Sequence, residues 1–237
     1  MSFDGKRHIL ACGGLKSRDG IPPVVARMLE LTGVQRPRLC LVPTADETDL
    51  SFVGAAERAA AGSRVSVSHL RLFPMPNVDD PATLLFDSDA IFVGGGSTAN
   101  MLAVWRVHGI DDVLRRAWER GVIVGGSSAG AICWFEGGLT DSFGPALTAL
   151  PDGLGVLSGS YCPHYDEEPR RSRFCEVIAS GVLPAGIACD NGVTAHFVGS
   201  ELVEVLSESE GARAVRVRPD AACGFVEEPV VTRLLRP

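Results

Sequence analysis

Gly121-Val-Ile-Val-Gly-Gly-Ser-Ser-Ala-Gly-Ala-Ile-Cys133 is the stretch on which the reading of this chain turns. Val122 to Val124 is a short apolar run of the kind that forms a buried strand. It passes directly into Gly126-Ser127-Ser128-Ala129-Gly130 and then into a helix-compatible Ala-Ile-Cys-Trp-Phe. The pattern predicts strand, tight turn and helix, with a serine on the turn. Its spacing is G-x-S-x-G, which selects Ser128 over Ser127. Small residues on either side let the backbone bend sharply enough to hold that serine strained, with its hydroxyl exposed. The next N–H, on Ala129, stands at the predicted helix start, where unpaired donors and the helix dipole favour an oxyanion. Taken alone, the pattern also fits a small-residue turn in any α/β protein.

Working outward, the N-terminal half repeats one unit. His8 to Cys12 predicts a strand, and Pro22-Pro23 opens a helix whose apolar Val24, Val25, Met28, Leu29 and Leu31 recur at helical spacing. Arg38 to Val42 is a second strand, Asp49 to Ala61 an alanine-rich helix, and Val65 to Leu70 a third strand. Asp89 to Val93 is a fourth, ending in Gly94-Gly95-Gly96-Ser97-Thr98, where Ser97 or Thr98 caps the next helix. Asp111 to Arg120 is a further helix leading to the serine strand. Repeated β-α-β steps predict an α/β fold with a parallel sheet covered by helices. Both glycine-rich loops then leave the carboxyl ends of strands, where α/β sites form.

Beyond residue 136 the texture changes. Glu136 to Gly144 has few apolar residues, with Glu136 carried on the serine helix, and Leu147 to Leu157 reads as turns and short strands. Pro169 to Ala179 reads as a helix, and later segments alternate as antiparallel strands do, with Val230 to Leu235 as an edge strand. No linker or repeat divides residues 1–237, so one domain is expected.

A net charge of −7, from 29 acidic and 22 basic residues, leaves no basic footprint for nucleic acid. No apolar run approaches the roughly 18 residues of a membrane span. The polar start, Met-Ser-Phe-Asp-Gly-Lys-Arg-His, argues against a secretory signal, so a cytoplasmic protein is expected. The seven cysteines are scattered without a C-x-x-C pair and read as reduced thiols rather than metal ligands. The triple glycine lacks both the P-loop and the dinucleotide spacing, which disfavours nucleotide binding.

A serine nucleophile needs a base, and the base needs an orienting partner. Of five histidines, His164 stands out: it follows Cys162-Pro163 in a loop dense in polar groups, Tyr165-Asp-Glu-Glu-Pro-Arg170. Asp141 lies between serine and histidine and is the first candidate for the acid, with Asp190, at a strand end, as the alternative. Asp166 and Glu167 are too close to His164 in sequence to reach its far nitrogen easily.

Phe92-Val-Gly-Gly-Gly-Ser-Thr98, Gly126-Ser-Ser-Ala-Gly-Ala131, Thr140-Asp-Ser142 and Cys162-Pro-His164 together resemble the peptidase E family of serine peptidases, which includes aspartyl dipeptidase and cyanophycinase. The resemblance implies a sheet like that of class I glutamine amidotransferases, with serine in place of cysteine. It implies hydrolysis of the peptide bond after an N-terminal aspartate, without metal or other cofactor. Position by position, Ser128 resembles the nucleophile, His164 the base and Asp141 the acid. Gly96 and Ala129 match the oxyanion donors, and Arg170 the arginine that receives the substrate's acidic side chain. The expected partner is a short peptide, and a homodimer is compatible with the chain. Competing readings are a cyanophycinase-like or broader aminopeptidase, an α/β-hydrolase esterase, and a catalytically silent small-molecule binding protein on the same fold.

Overall fold

The computed structural model describes residues 6–16, 20–48 and 50–235. In chain order the elements are β1 (His8–Cys12), α1 (Pro23–Leu31), β2 (Arg38–Val42), α2 (Ser51–Ala60), β3 (Ser66–His69), α3 (Pro81–Phe86) and β4 (Ala90–Val93). Next come α4 (Thr98–His108), α5 (Ile110–Glu119), β5 (Ile123–Ser127), α6 (Ala129–Ile132), β6 (Phe135–Thr140), β7 (Thr148–Leu150) and β8 (Leu157–Cys162). The chain continues through α7 (Glu168–Ala179), β9 (Gly186–Cys189), β10 (Val193–Val198), β11 (Glu201–Ser207), β12 (Ala214–Asp220), β13 (Gly224–Val230) and β14 (Arg233–Leu234). Asp49, the expected first residue of the second helix, and Met1 to Gly5 lie outside the described residues.

Eight strands form one sheet in the order β14-β11-β10-β1-β5-β4-β2-β3. Its centre, from β1 through β5, β4 and β2 to β3, is parallel throughout. β10 joins β1 antiparallel, and β11 joins β10 in the same sense. The predicted α/β fold is therefore present, with its antiparallel strands toward the C-terminal end. Helices start where the sequence supplies the means. Pro23 occupies the first turn of α1, which buries Val24, Val25 and Met28. Ser97 caps α4, its hydroxyl accepting the Asn100 N–H. Among the described residues, no helix is long and apolar enough to cross a membrane.

The turns and short strand expected over Leu147 to Leu157 are present around β7, but they belong to a larger arrangement. A second, six-stranded sheet runs β13-β12-β9-β8-β6-β7. Within it β6, β8 and β9 are parallel neighbours. Gly137 and Gly138, which look like loop residues, lie inside β6, where a Cβ on Gly138 would sit 2.5 Å from the Tyr161 carbonyl oxygen. They are strand positions at which another chain passes close by. The serine helix is correspondingly shorter than predicted. α6 is a single turn, and Trp134 and Phe135 leave it to be fully buried. Glu136 belongs to β6, not to a helix, and accepts the Gly159 N–H.

The two sheets meet across aromatic packing. Phe135 stacks on Tyr161 within the second sheet, ring centroids 4.9 Å apart, and meets Phe197 of β10 edge-on at 5.7 Å, while the Tyr161 hydroxyl donates to the Ala11 carbonyl of β1 at 3.1 Å. Burying each such side chain contributes roughly 1.5–3 kcal/mol. That junction brings the carboxyl ends of β1, β4 and β5 against those of β8 and β9.

Candidate active site

Ser128 follows β5 at φ 56°, ψ −116°, a conformation that costs an L-residue energy and is kept by its surroundings. The Ser128 N–H donates to the Cys12 carbonyl, while its own carbonyl accepts from Ala131 and Ile132. The flanking glycines are required by space. A Cβ on Gly126 would strike the Gly130 carbonyl, and one on Gly130 would strike that of Val93. Position 126 therefore abuts the turn itself and position 130 the end of β4. This is the physical content of the G-x-S-x-G spacing.

His164 lies two residues beyond β8, also at positive φ (52°), its N–H bonded to the Gly13 carbonyl. Its Nε2 is 2.9 Å from Ser128 Oγ. Its Nδ1 is 2.7 Å from Asn191 Oδ1, just beyond β9. The Asn191 amide nitrogen donates to both oxygens of Asp166, at 3.1 and 3.2 Å. A carboxylate only accepts, so this contact fixes which end of the amide faces histidine. Asn191 Oδ1 then takes the proton on Nδ1, and Nε2 is left with a lone pair toward the serine hydroxyl. Partial burial by itself would raise the Asp166 pKa, but the N–H and amide donors of Asn191 outweigh it and hold the carboxyl below its usual value. Asp166 therefore holds Asn191 at neutral pH. That hold is lost as the pH falls through the lowered value.

Asp141 does not fill the place expected of it. Its carboxylate meets Arg170 Nη2 at 2.8 Å, and the third member of the line from Ser128 is Asn191. The Thr140-Asp-Ser142 motif has another task in this structure. Thr140 Oγ1 bonds Ser142 Oγ, and that hydroxyl accepts the Ala99 N–H at the start of α4, bracing the helix behind the triple glycine. Asp190 is also turned away. Its Oδ2 accepts the Arg213 N–H, its Oδ1 has no partner among the described residues, and burial pushes its pKa up. In the turn after β9 the two neighbours take different partners, and it is Asn191 that reaches the histidine.

Arg170 is only 8% exposed, held by Asp141 and by Glu167, whose carboxylate is 3.4 Å from Nε. Arg171 pairs with Glu227 and Arg173 with Glu176. Gly95 comes nearest to Ser128, a Cβ there falling 3.2 Å from the serine Cβ, whereas Gly96 packs against Ala45 and Asp46. The N–H groups of Gly95, Gly96 and Ala129 make no hydrogen bond within the described residues, so each is free to donate. A cavity of about 150 Å³ opens beside Ser128 and His164, walled by Leu15, Pro43, Phe52 and the three glycines, with Asp46 in its lining. The thiol of Cys133 is buried and pushed well above its ordinary pKa, which suits a core residue and not a nucleophile.

Gly14 is a site residue that motif reading missed. A Cβ there would collide with Asn191 Oδ1 and lie 2.7 Å from His164 Nδ1. Gly14→Ala is expected to push the pair apart and lower kcat/KM by about tenfold or more, since misplacing a reacting group by an ångström is costly. Steady-state kinetics of the folded variant, checked by circular dichroism, measure this. Unchanged kcat/KM would show that the pair tolerates displacement.

The model of peptidase family S51 matches residues 9–205. YgaJ, an uncharacterised peptidase of Bacillus subtilis (strain 168), is 44% identical over 184 residues, covering 77% of this chain and 79% of that protein. Among solved structures, a peptidase from an acI-B1 Actinobacterium superposes with a TM-score of 0.68 at 15% identity, over 98% of each chain. A protein described as a candidate peptidase E from Listeria monocytogenes EGD-e gives 0.60 at 18% identity, over 84% of this chain and 97% of that one. At such identities the structural likeness is one of fold.

Proposed function

This chain belongs to peptidase family S51 and is a serine-type peptidase, and we propose that it cleaves short peptides through Ser128, His164 and Asn191. The observation that carries this reading is the unbroken line from Ser128 Oγ through His164 to Asn191 and Asp166 at the mouth of a cavity.

In the proposed reaction, Ser128 Oγ attacks the scissile carbonyl carbon and its proton passes to His164 Nε2. The carbonyl oxygen becomes an oxyanion, received by the N–H of Ala129 together with that of Gly96 or Gly95. As the C–N bond breaks, His164 returns the proton to the leaving amine. Water, deprotonated by the same nitrogen, then releases the acid from the acyl-enzyme. Asn191 sets the tautomer and angle of the imidazole, and Asp166, one bond further out, holds the Asn191 amide in that orientation. The seven unpaired cysteines support a reducing, cytoplasmic setting for this chemistry.

The finer reading, dipeptides that begin with aspartate, rests on Arg170. In this structure a substrate carboxylate would compete with Asp141 and Glu167 for a guanidinium that is mostly buried. The test is a panel of Xaa-Leu dipeptides with Asp, Glu, Asn, Ala and Met first. Hydrolysis across the panel without preference for Asp is the expected result. Exclusive cleavage of Asp-Leu would restore Arg170 as the specificity residue.

A further inference from the structure

The described residues that line the cavity beside Ser128 supply a carboxylate rather than the arginine or lysine an aspartate-binding pocket needs. Among the described residues that line it, Asp46 is the only carboxylate, and no arginine or lysine lines it. The remaining walls are Leu15, Pro43, Phe52, Phe92 and glycine backbone.

Asp46 is held in place from three sides. Its N–H donates to the Pro43 carbonyl, closing a turn directly after β2. The preceding carbonyl, of Ala45, accepts the Ser97 N–H, locking this turn to the triple-glycine loop. Gly96 lies so close that a Cβ on it would be 2.9 Å from the Asp46 Cβ. The Thr48 N–H and hydroxyl both donate to Asp46 Oδ1. Oδ2 has no partner among the described residues. Half-buried Asp46 thus lines the cavity that Ser128 and His164 share, and on its Thr48 side a second groove with Thr44 and Glu47, with one carboxylate oxygen free of hydrogen bonds among the described residues.

We propose that Asp46 is a specificity-determining residue that takes a positively charged nitrogen on the acyl half of the substrate. This rests on the reading of Ser128 as nucleophile. A substrate carbonyl placed with its oxygen at Gly95 or Gly96 and its carbon at Ser128 Oγ presents its own α-substituents to the neighbouring wall. There an ammonium gains a charge-assisted hydrogen bond to Asp46, while an acidic side chain in the same small, partly apolar cavity meets a like charge. The cation has two sources, the free α-ammonium of an N-terminal residue or a basic side chain on that residue. Both are recognised by the same chemistry; an N-terminal aspartate also carries the first, but its side-chain carboxylate would meet Asp46 as a like charge.

The experiment compares Ala-Leu, Lys-Leu and Asp-Leu with N-acetyl-Ala-Leu and N-acetyl-Lys-Leu, on the unaltered protein and on Asp46→Asn. Asparagine keeps an Oδ1 for Thr48, so the turn is retained. The unaltered protein is expected to favour cation-bearing over cation-free substrates by about tenfold or more in kcat/KM, mainly through KM. Ala-Leu over N-acetyl-Ala-Leu identifies the α-ammonium as the source. N-acetyl-Lys-Leu over N-acetyl-Ala-Leu identifies the side chain. In Asp46→Asn the preference collapses toward unity and Asp-Leu gains on Lys-Leu. A preference of the same size in both proteins overturns the role of Asp46, as does Asp-Leu being the best substrate of the unaltered protein. A small fluorophosphonate separates the two levels. If Ser128 is labelled while the preference does not move, only the Asp46 assignment fails. If Ser128 is not labelled and none of the five peptides is cleaved, the serine reading fails with it.

Discussion

Ser128→Ala is expected to fold as the unaltered protein does and to lose at least about 10³-fold in turnover of short peptides. The hydroxyl removed is the group 2.9 Å from His164 Nε2, and no other described side chain is hydrogen-bonded to that nitrogen. Folding is expected to survive because the turn is held by backbone. The Ser128 N–H goes to Cys12, and Gly126 and Gly130 leave room that alanine at 128 does not touch. The positive φ strains alanine and serine alike, so the substitution adds little conformational cost. Thermal melting and a dipeptide hydrolysis assay on the same preparation test both halves. Ser127→Ala is the control, since Ser127 closes β5 and is buried. Near-normal turnover by Ser128→Ala, with loss in Ser127→Ala, would move the nucleophile by one residue.

The second large effect separates Asn191 from Asp141. Asn191→Ala is expected to lower kcat/KM on the order of 10²–10³-fold, because nothing then receives the Nδ1 proton and the imidazole is free to turn or to adopt the wrong tautomer. Asp141→Ala removes a partner of Arg170 and is expected to change kcat/KM by no more than about tenfold. The two variants assayed side by side distinguish the arrangements, with circular dichroism to check that each is folded. If Asp141→Ala is the more damaging, the acid of the resemblance is restored, and the Asn191 hydrogen bond belongs to a resting geometry.

Much of this site was legible in the chain, for reasons that differ from residue to residue. Ser128 was readable because the sterics that force small residues at 126 and 130 are local, acting within a turn of five residues. His164 was readable by elimination and by its stiff Cys-Pro lead-in, although its hydrogen bond spans 36 positions of sequence. Asn191 was not readable. Its role depends on β9 lying beside β8 in a second sheet that the glycines of β6 disguise as loop. The expectation came within one residue, at Asp190, whose carboxylate accepts the Arg213 N–H while Asn191, in the turn beyond β9, meets His164. A signal did exist. Asp190-Asn191-Gly192 follows the carboxyl end of a strand, the same kind of location that marked both serine and glycine loops.

The parallel half of the first sheet was recoverable for a similar reason. Its β-α-β units each carry their own start and stop signals, with Pro22-Pro23 before α1 and Ser97 before α4. Arg170 and Asp141 show the opposite limit. Each lies in a motif that points toward a substrate or a histidine, yet the fold brings their opposite charges within 2.8 Å of each other, with Arg170 Nε left without a hydrogen-bond partner among the described residues. Only the three-dimensional arrangement separates a substrate-binding arginine from a paired one. Asp46 is subtler still, since nothing in Pro43-Thr-Ala-Asp46 marks a specificity residue until the loop is seen against Gly96.

The most direct test of the account is the site of covalent capture. The protein is incubated with a small fluorophosphonate, the intact mass is read, and the modified peptide is sequenced by fragmentation. A single adduct on Ser128, abolished in His164→Ala, is the predicted result. An adduct on Ser127 or on a cysteine, or labelling of Ser128 that proceeds equally without His164, would contradict it.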